Sequence, residues 1–150
     1  MHFVTGGAFN GKRAWVLEKY PDAKWISAYD GNKLIEDVKL FTRKTVVLEG
    51  IEVWMKLLCE KMSISQARSY WKNILDRYLK WEQAGLGRER NIIFIGTDIT
   101  KGIVPVEEAN RNWRDLTGWA YQDLTCRCKR VDVIWYGINQ TIKLEREEEM

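Results

Sequence analysis

Apolar residues along this chain fall into two patterns, short continuous runs and helical stripes, and the two alternate from the N-terminus onward. Phe3-Val4-Thr5 is a β-prone run that stops at Gly6-Gly7. Ala14, Trp15, Leu17 and Glu18 continue as a helix to Tyr20, and Pro21 ends it. Lys24 to Tyr29 reads as a second strand closed by the turn cluster Asp30-Gly31-Asn32. A short helix is expected from Leu34 to Leu40. Thr45-Val46-Val47-Leu48 is apolar at consecutive positions, as in a strand buried on both faces of a parallel sheet.

The second half repeats the alternation. Glu52 to Lys61 reads as a helix. Ser63 and Gln66 then form a capping box, with Met62 and Ala67 spaced for a hydrophobic staple. Behind it Ile64, Ala67, Trp71, Ile74, Leu75, Tyr78 and Trp81 make an amphipathic stripe that Gly85-Leu86-Gly87 terminates. Asn91 to Ile95 is a strand. A loop through Gly102-Ile103-Val104-Pro105 leads to a long helix from about Glu107 to Arg127. Val131 to Trp135 is a further strand, and Ile138 to Leu144 forms a last edge strand. Strands alternating with helices through short loops predict an α/β fold with a mostly parallel sheet flanked by helices.

Composition narrows the functional classes. The chain has 150 residues, 45% hydrophobic and 30% charged, which suits an ordinary globular protein. No apolar run reaches the roughly 20 residues that span a bilayer, and the N-terminus lacks a signal-peptide layout, so a cytoplasmic protein is expected. The net charge of +3 is uneven: residues 145–149 hold four Glu and one Arg, or −3, leaving +6 for the rest. That suits phosphate-bearing ligands but falls short of the dense basic stripe of a nucleic-acid binder. Cys59, Cys126 and Cys128 are neither a disulfide framework nor a zinc site, since His2 is the only histidine. Tryptophans at helical spacing, such as Trp71 and Trp81, read as packing residues.

One motif carries chemistry. Gly6-x-x-x-x-Gly11-Lys12 lies between a predicted strand and a predicted helix, the context of a phosphate-binding loop. Gly6, Gly7, Ala8, Phe9, Asn10, Gly11, Lys12 and Arg13 are the expected nucleotide-binding residues. Backbone N–H groups would face phosphate oxygens, the helix N-terminus adds partial positive charge, and Lys12 reaches the outer phosphates. Arg13 occupies the position where a Ser or Thr hydroxyl ordinarily ligates magnesium. A guanidinium has no lone pair for a cation. Either the site has decayed, or Arg13 itself supplies positive charge by pairing with a phosphate. Glu49, after the apolar strand, is placed for the crevice where α/β sheets bind ligands, and Asp98 is the next candidate. Each also reads as a helix-capping or surface carboxylate.

In order, these residues resemble the adenosylcobinamide kinase/adenosylcobinamide-phosphate guanylyltransferase family of cobalamin biosynthesis. Its opening V-T-G-G-A-R-S-G-K-S is matched by Val4-Thr5-Gly6-Gly7-Ala8-Phe9-Asn10-Gly11-Lys12-Arg13, and its apolar strand ending in glutamate by Val47-Leu48-Glu49. T-N-E-V-G-x-G-I-V-P stands against Gly96-Thr97-Asp98-Ile99-Thr100-Lys101-Gly102-Ile103-Val104-Pro105. Arg111, Trp113, Arg114, Asp115, Gly118, Gln122 and Leu124 keep step with the following R-x-F-R-D-x-x-G-x-x-N-Q-x-L helix, and Val133, Trp135, Gly137 and Ile138 echo the closing V-W and G-I.

The resemblance implies a P-loop type three-layer fold, one nucleotide-binding domain over residues 1–144 with an acidic tail over 145–150. It implies phosphoryl transfer from ATP or GTP to the cobinamide side chain, then guanylyl transfer from GTP. Lys12, Glu49 and Asp98 are the implied catalytic set, magnesium the usual companion ion, and self-association is expected, with Trp113 or Trp119 as exposed contacts. The family's nucleophilic histidine falls between the second strand and the glutamate strand, and here residues 29–44 hold no histidine. The rival reading is a catalytically degenerate relative that binds nucleotide or a partner for regulation or assembly. A third is a P-loop kinase for another small molecule.

Overall fold

The computed structural model describes residues 1–85, 89–99 and 106–145. Six strands form one sheet: β1 (His2–Gly6), β2 (Lys24–Ser27), β3 (Thr45–Glu49), β4 (Asn91–Thr97), β5 (Arg130–Trp135) and β6 (Ile138–Leu144). They lie in the order β2-β3-β4-β1-β5-β6, parallel except for β6, which pairs antiparallel with β5. The helices are α1 (Lys12–Lys19), α2 (Ile51–Lys61), α3 (Ile64–Gln83) and α4 (Glu108–Arg127). This is the α/β sheet expected from the alternation of strands and helices.

Neighbouring residues of the strands point to opposite faces, and each face has its own core. Phe3, Val46, Leu48, Ile92, Phe94 and Val131 pack with Ile51, Trp54, Met55, Trp71, Leu75 and Leu124 from α2, α3 and α4. Val4, Val47, Ile93, Ile95 and Ile134 pack with Val16 of α1. Runs such as Val46-Val47-Leu48 and Ile92 to Ile95 are therefore apolar at consecutive positions, because water reaches neither side. Helix α3 starts where the capping box places it: the Gln66 N–H donates to Ser63 Oγ at 3.2 Å and the Ser63 N–H to Gln66 Oε1 at 3.1 Å.

Three expectations need correction. The stretch from Leu34 to Leu40 is not an α-helix; only Val38–Leu40 forms a single 3₁₀ turn. Its upstream carbonyls are satisfied by other elements instead. Trp54 Nε1 donates to Asn32 O at 2.9 Å, the Tyr78 hydroxyl to Ile35 O, and Arg77 to Glu36 O. Side chains of α2 and α3 thus replace the helical bonds that this segment would otherwise make. Strand β2 ends at Ser27 rather than Tyr29, since Ser27 Oγ accepts the Tyr29 N–H and caps a 3₁₀ turn over Ala28–Asp30. Trp113 is half-buried rather than exposed, with its indole N–H donating to Glu52 O at 2.8 Å; Trp119 is 41% exposed.

Several expected features lie outside the described residues: the segment 86–87 of the α3 stop, the 102–105 loop, and residues 146–150 of the tail. Among the described residues, no helix is long and apolar enough to cross a membrane.

A polar cluster ties the amino end of the sheet together. His2 Nε2 donates to Asp132 Oδ2 at 2.5 Å, and Nδ1 accepts from the Tyr20 hydroxyl at 2.8 Å. Asp132, fully buried, also accepts from Arg130, Asn139 and Thr141. These bonds join β1, β5, β6 and Tyr20, the residue that caps α1. They hold the Asp132 carboxyl at about 2, while burial pulls His2 down to about 4 against the pull of Asp132. A neutral imidazole with its proton on Nε2 satisfies both partners.

The pH dependence follows from that neutral state. An unfolded His2 binds its proton near 6.5 and the folded one only near 4, so the unfolded chain holds more protons between them. Stability is expected to fall as pH drops from about 6.5 through 4, by up to about 3 kcal/mol from this group. Below that window the Asp132 contribution is lost in turn. Urea denaturation across pH, compared with His2→Gln, checks this; an unchanged slope between pH 6.5 and 4 in the variant would assign the dependence elsewhere.

Candidate functional site

The topology opens a crevice at the carboxyl end of the sheet. β1 is followed by α1 on one face, whereas β3 and β4 are followed by α2 and α4 on the other. Where neighbouring strands send their connections to opposite faces, the loops part and ligands bind. The candidate loop emerges from β1 at that point.

Backbone geometry requires glycine at its ends. Gly6 has φ 145°, and a Cβ there would lie 2.5 Å from Ile134 O of β5. Gly11, at φ 90°, caps α1, and a Cβ there would meet Gly137 Cα at 3.1 Å. Tyr136 and Gly137, at φ 49° and 75°, form the two-residue turn of the β5–β6 hairpin. The Gly137 N–H donates to Asn10 O at 2.8 Å, so the hairpin tip braces the loop. Between them Phe9 sits at φ 61° with its ring fully exposed.

Lys12, the first residue of α1, is 8% exposed and donates from Nζ to Gly7 O at 2.8 Å across the loop. Burial lowers its pKa, while the nearby Glu52 and Glu49 carboxylates act in the opposite direction. Glu49, at the end of β3, is 3% exposed and accepts from Ser27 Oγ at 2.7 Å. Arg13 Nη1 stands 3.7 Å from the same carboxylate oxygen. A cavity of about 720 Å³ joins these groups, lined by Phe9, Lys12, Arg13, Tyr29, Glu49 and Thr97 among others. That volume suits a ligand of nucleotide size.

Of the three catalytic candidates, Lys12 and Glu49 share this cavity. Asp98 does not. Its N–H donates to Gly6 O at 2.9 Å, and its side chain lines a neighbouring groove of about 820 Å³ between α4 and the β5–β6 hairpin. Gly6 to Gly11 form the loop itself, with Ala8, Phe9 and Gly11 on the cavity wall.

Sequence reasoning missed Glu52. It is 6% exposed, and its carboxylate accepts the Thr97 N–H at 3.0 Å and the Tyr29 hydroxyl. Burial and that carboxylate raise the pKa of Tyr29, which stays protonated as the donor. The Tyr121 hydroxyl in turn donates to Thr97 O at 2.7 Å. Glu52, in α2, thereby links the 3₁₀ turn after β2 to β4 beside Lys12. An acidic residue in the first turn of a helix reads as a partner for the helix dipole, which concealed it. Its spacing of three from Glu49 was the available signal.

A protein-family model described as cobinamide kinase / cobinamide phosphate guanyltransferase matches residues 20–142 of the chain. The matched span starts after the loop, so the reading of residues 6–13 rests on the loop's own geometry. Among curated proteins, no sequence matches.

Glu52→Ala leaves the Tyr29 hydroxyl and the Thr97 N–H without their acceptor. It is expected to lower the unfolding free energy by about 1–3 kcal/mol, with Glu52→Gln losing less. Urea midpoints measure this, and an unshifted midpoint for Glu52→Ala would show that the carboxylate is not holding the turn after β2 to β4.

Proposed function

We propose, from the premise that the chain belongs to the cobinamide kinase / cobinamide phosphate guanyltransferase family, that it binds ATP or GTP in the loop cavity and transfers a phosphoryl group to the cobinamide side chain. The observation that carries this reading is the buried Lys12, held across a glycine-bounded loop at the start of a helix and sharing one cavity with Glu49.

The loop N–H groups and the α1 N-terminus supply donors for phosphate oxygens, and Lys12 neutralises charge on the outer phosphates. Its bond to Gly7 O is exchanged for a phosphate bond, so that its burial is compensated when ligand is present. Transfer breaks the bond from the terminal phosphorus to its bridging oxygen and forms one to the acceptor hydroxyl. The hydroxyl proton passes to a carboxylate, and Asp98, across Gly6 in the adjoining groove, is the residue we assign to that role.

The guanylyl half of the family's chemistry lacks a histidine placed to carry it. His2, the only one in the chain, begins β1 at the opposite end of the strand from the loop and is held by Asp132 and Tyr20. Of the thiols, burial raises those of Cys59 and Cys128, which makes them poor nucleophiles, and Cys126 is in the last turn of α4. Arg13 against Glu49 favours a second reading, a relative that holds nucleotide without transferring phosphate.

Terminally labelled ATP or GTP, incubated with cobinamide and the protein, is expected to yield labelled cobinamide phosphate, and Lys12→Ala to weaken nucleotide binding by about 1.5–3 kcal/mol. Nucleotide binding without any transfer would leave only the second reading standing. With GTP labelled at the α-phosphate, no acid-labile, base-stable label is expected on the denatured protein; such a label would show a histidine adduct.

A further inference from the structure

Magnesium is the ion that the fold family implies for the loop, and the residues present do not fit it. The loop position that would offer a hydroxyl is Arg13, which has no lone pair to give. The carboxylate that would face the ion is already engaged: Glu49 Oε1 accepts from Ser27 Oγ at 2.7 Å and has Arg13 Nη1 at 3.7 Å. The guanidinium is positioned from a second side as well, with its central carbon 5.3 Å from the centre of the Trp25 ring. Ser27 and Glu49 are paired in register across β2 and β3, and Trp25, two residues before Ser27, shares their face of the sheet. One small patch therefore presents an aromatic face, a hydroxyl and a carboxylate, with Arg13 reaching into it from α1.

We infer that Arg13 is the resident cation of this site, and that the site takes nucleoside triphosphate free of divalent metal. The inference rests on the nucleotide-binding reading above. A metal ion in a phosphate loop connects three things: the loop, the acidic strand end and the phosphate oxygens. Arg13 connects the first two by covalent attachment at the start of α1 and by its ion pair with Glu49. Its side chain is 59% exposed while that of Glu49 is 4% exposed, so part of the guanidinium stays open to the cavity that Arg13 lines. Five N–H donors in a planar fork allow one edge to hold Glu49 while another bonds phosphate oxygens. The Trp25 ring limits the directions that the fork can take, which reduces the ordering needed on binding. A divalent ion entering between Glu49 and the loop meets a fixed positive charge there.

The test is calorimetric titration of the full chain with ATP and with GTP, each in excess chelator and in excess magnesium. Wild type is expected to bind its preferred nucleotide with affinities that agree within about threefold in the two buffers. Arg13→Ala is expected to lose about tenfold or more in chelator, the scale of a lost charged hydrogen bond. Arg13→Ser is expected to lose as much in chelator and to regain binding with magnesium, because it restores the hydroxyl ligand. Wild-type binding that weakens about tenfold or more in chelator overturns the inference and leaves the nucleotide reading intact. Wild-type affinity matched by Arg13→Ala in chelator overturns it too. Binding of neither nucleotide in either buffer, by protein with native circular dichroism, overturns the nucleotide reading and this inference together.

Discussion

The rest of the site depends on how β1 leaves the sheet. This strand is hydrogen-bonded on both sides, to β4 and β5, and buried on both faces, so its exit has little room. At Gly6 the backbone of β5 comes so close that a side chain would strike Ile134 O at 2.5 Å. Only glycine makes that turn, and the chain then runs as a tight loop into α1. The β5–β6 hairpin, which antiparallel pairing brings back to the same edge, braces the loop through Asn10 and Gly137. Lys12 is buried because the loop folds back over it.

Buried polar side chains form two clusters, one reaching in from the amino ends of the parallel strands and one at their carboxyl ends. At the amino end, His2, Asp132, Tyr20 and Arg130 satisfy one another, and the cluster is structural. At the carboxyl end, Glu49 and Glu52 are buried carboxylates facing Lys12, with Ser27, Tyr29 and the Thr97 backbone as donors. The two ends differ in whether the buried carboxylate lines an open cavity. The amino-end carboxylate, Asp132, is fully buried among four partners, whereas Glu49 opens onto a cavity of nucleotide size. Lys12, buried on the wall of that cavity, is the positive charge from which an anionic ligand would gain most in low-dielectric surroundings.

Much of the fold was legible because it depends on local periodicity. Val46-Val47-Leu48 and Ile92 to Ile95 read as inner strands since consecutive apolar residues need two buried faces. Ser63 and Gln66 announced the start of α3 because a capping box closes within four residues. The stretch from Leu34 to Leu40 misled for the opposite reason. Its apolar positions, Leu34, Ile35 and Val38, do pack on the core, but Arg77 and Tyr78 bind its carbonyls, and Trp54 that of Asn32 just before it, from distant parts of the chain. Local propensity is silent about donors arriving from elsewhere.

The candidate site divides in the same way. The sequence by itself determined the glycine-bounded loop, its lysine and the acidic end of β3, because glycine, lysine and carboxylate at those spacings state their conformational and charge requirements locally. Tertiary structure alone decided that Asp98 faces a different groove from Glu49, that Glu52 joins Lys12, and that Arg13 lies between Trp25 and Glu49. Those placements follow from which strands are neighbours and which face each helix covers. Neither is encoded in any short stretch of chain, since sheet order is settled by burial of both faces at once.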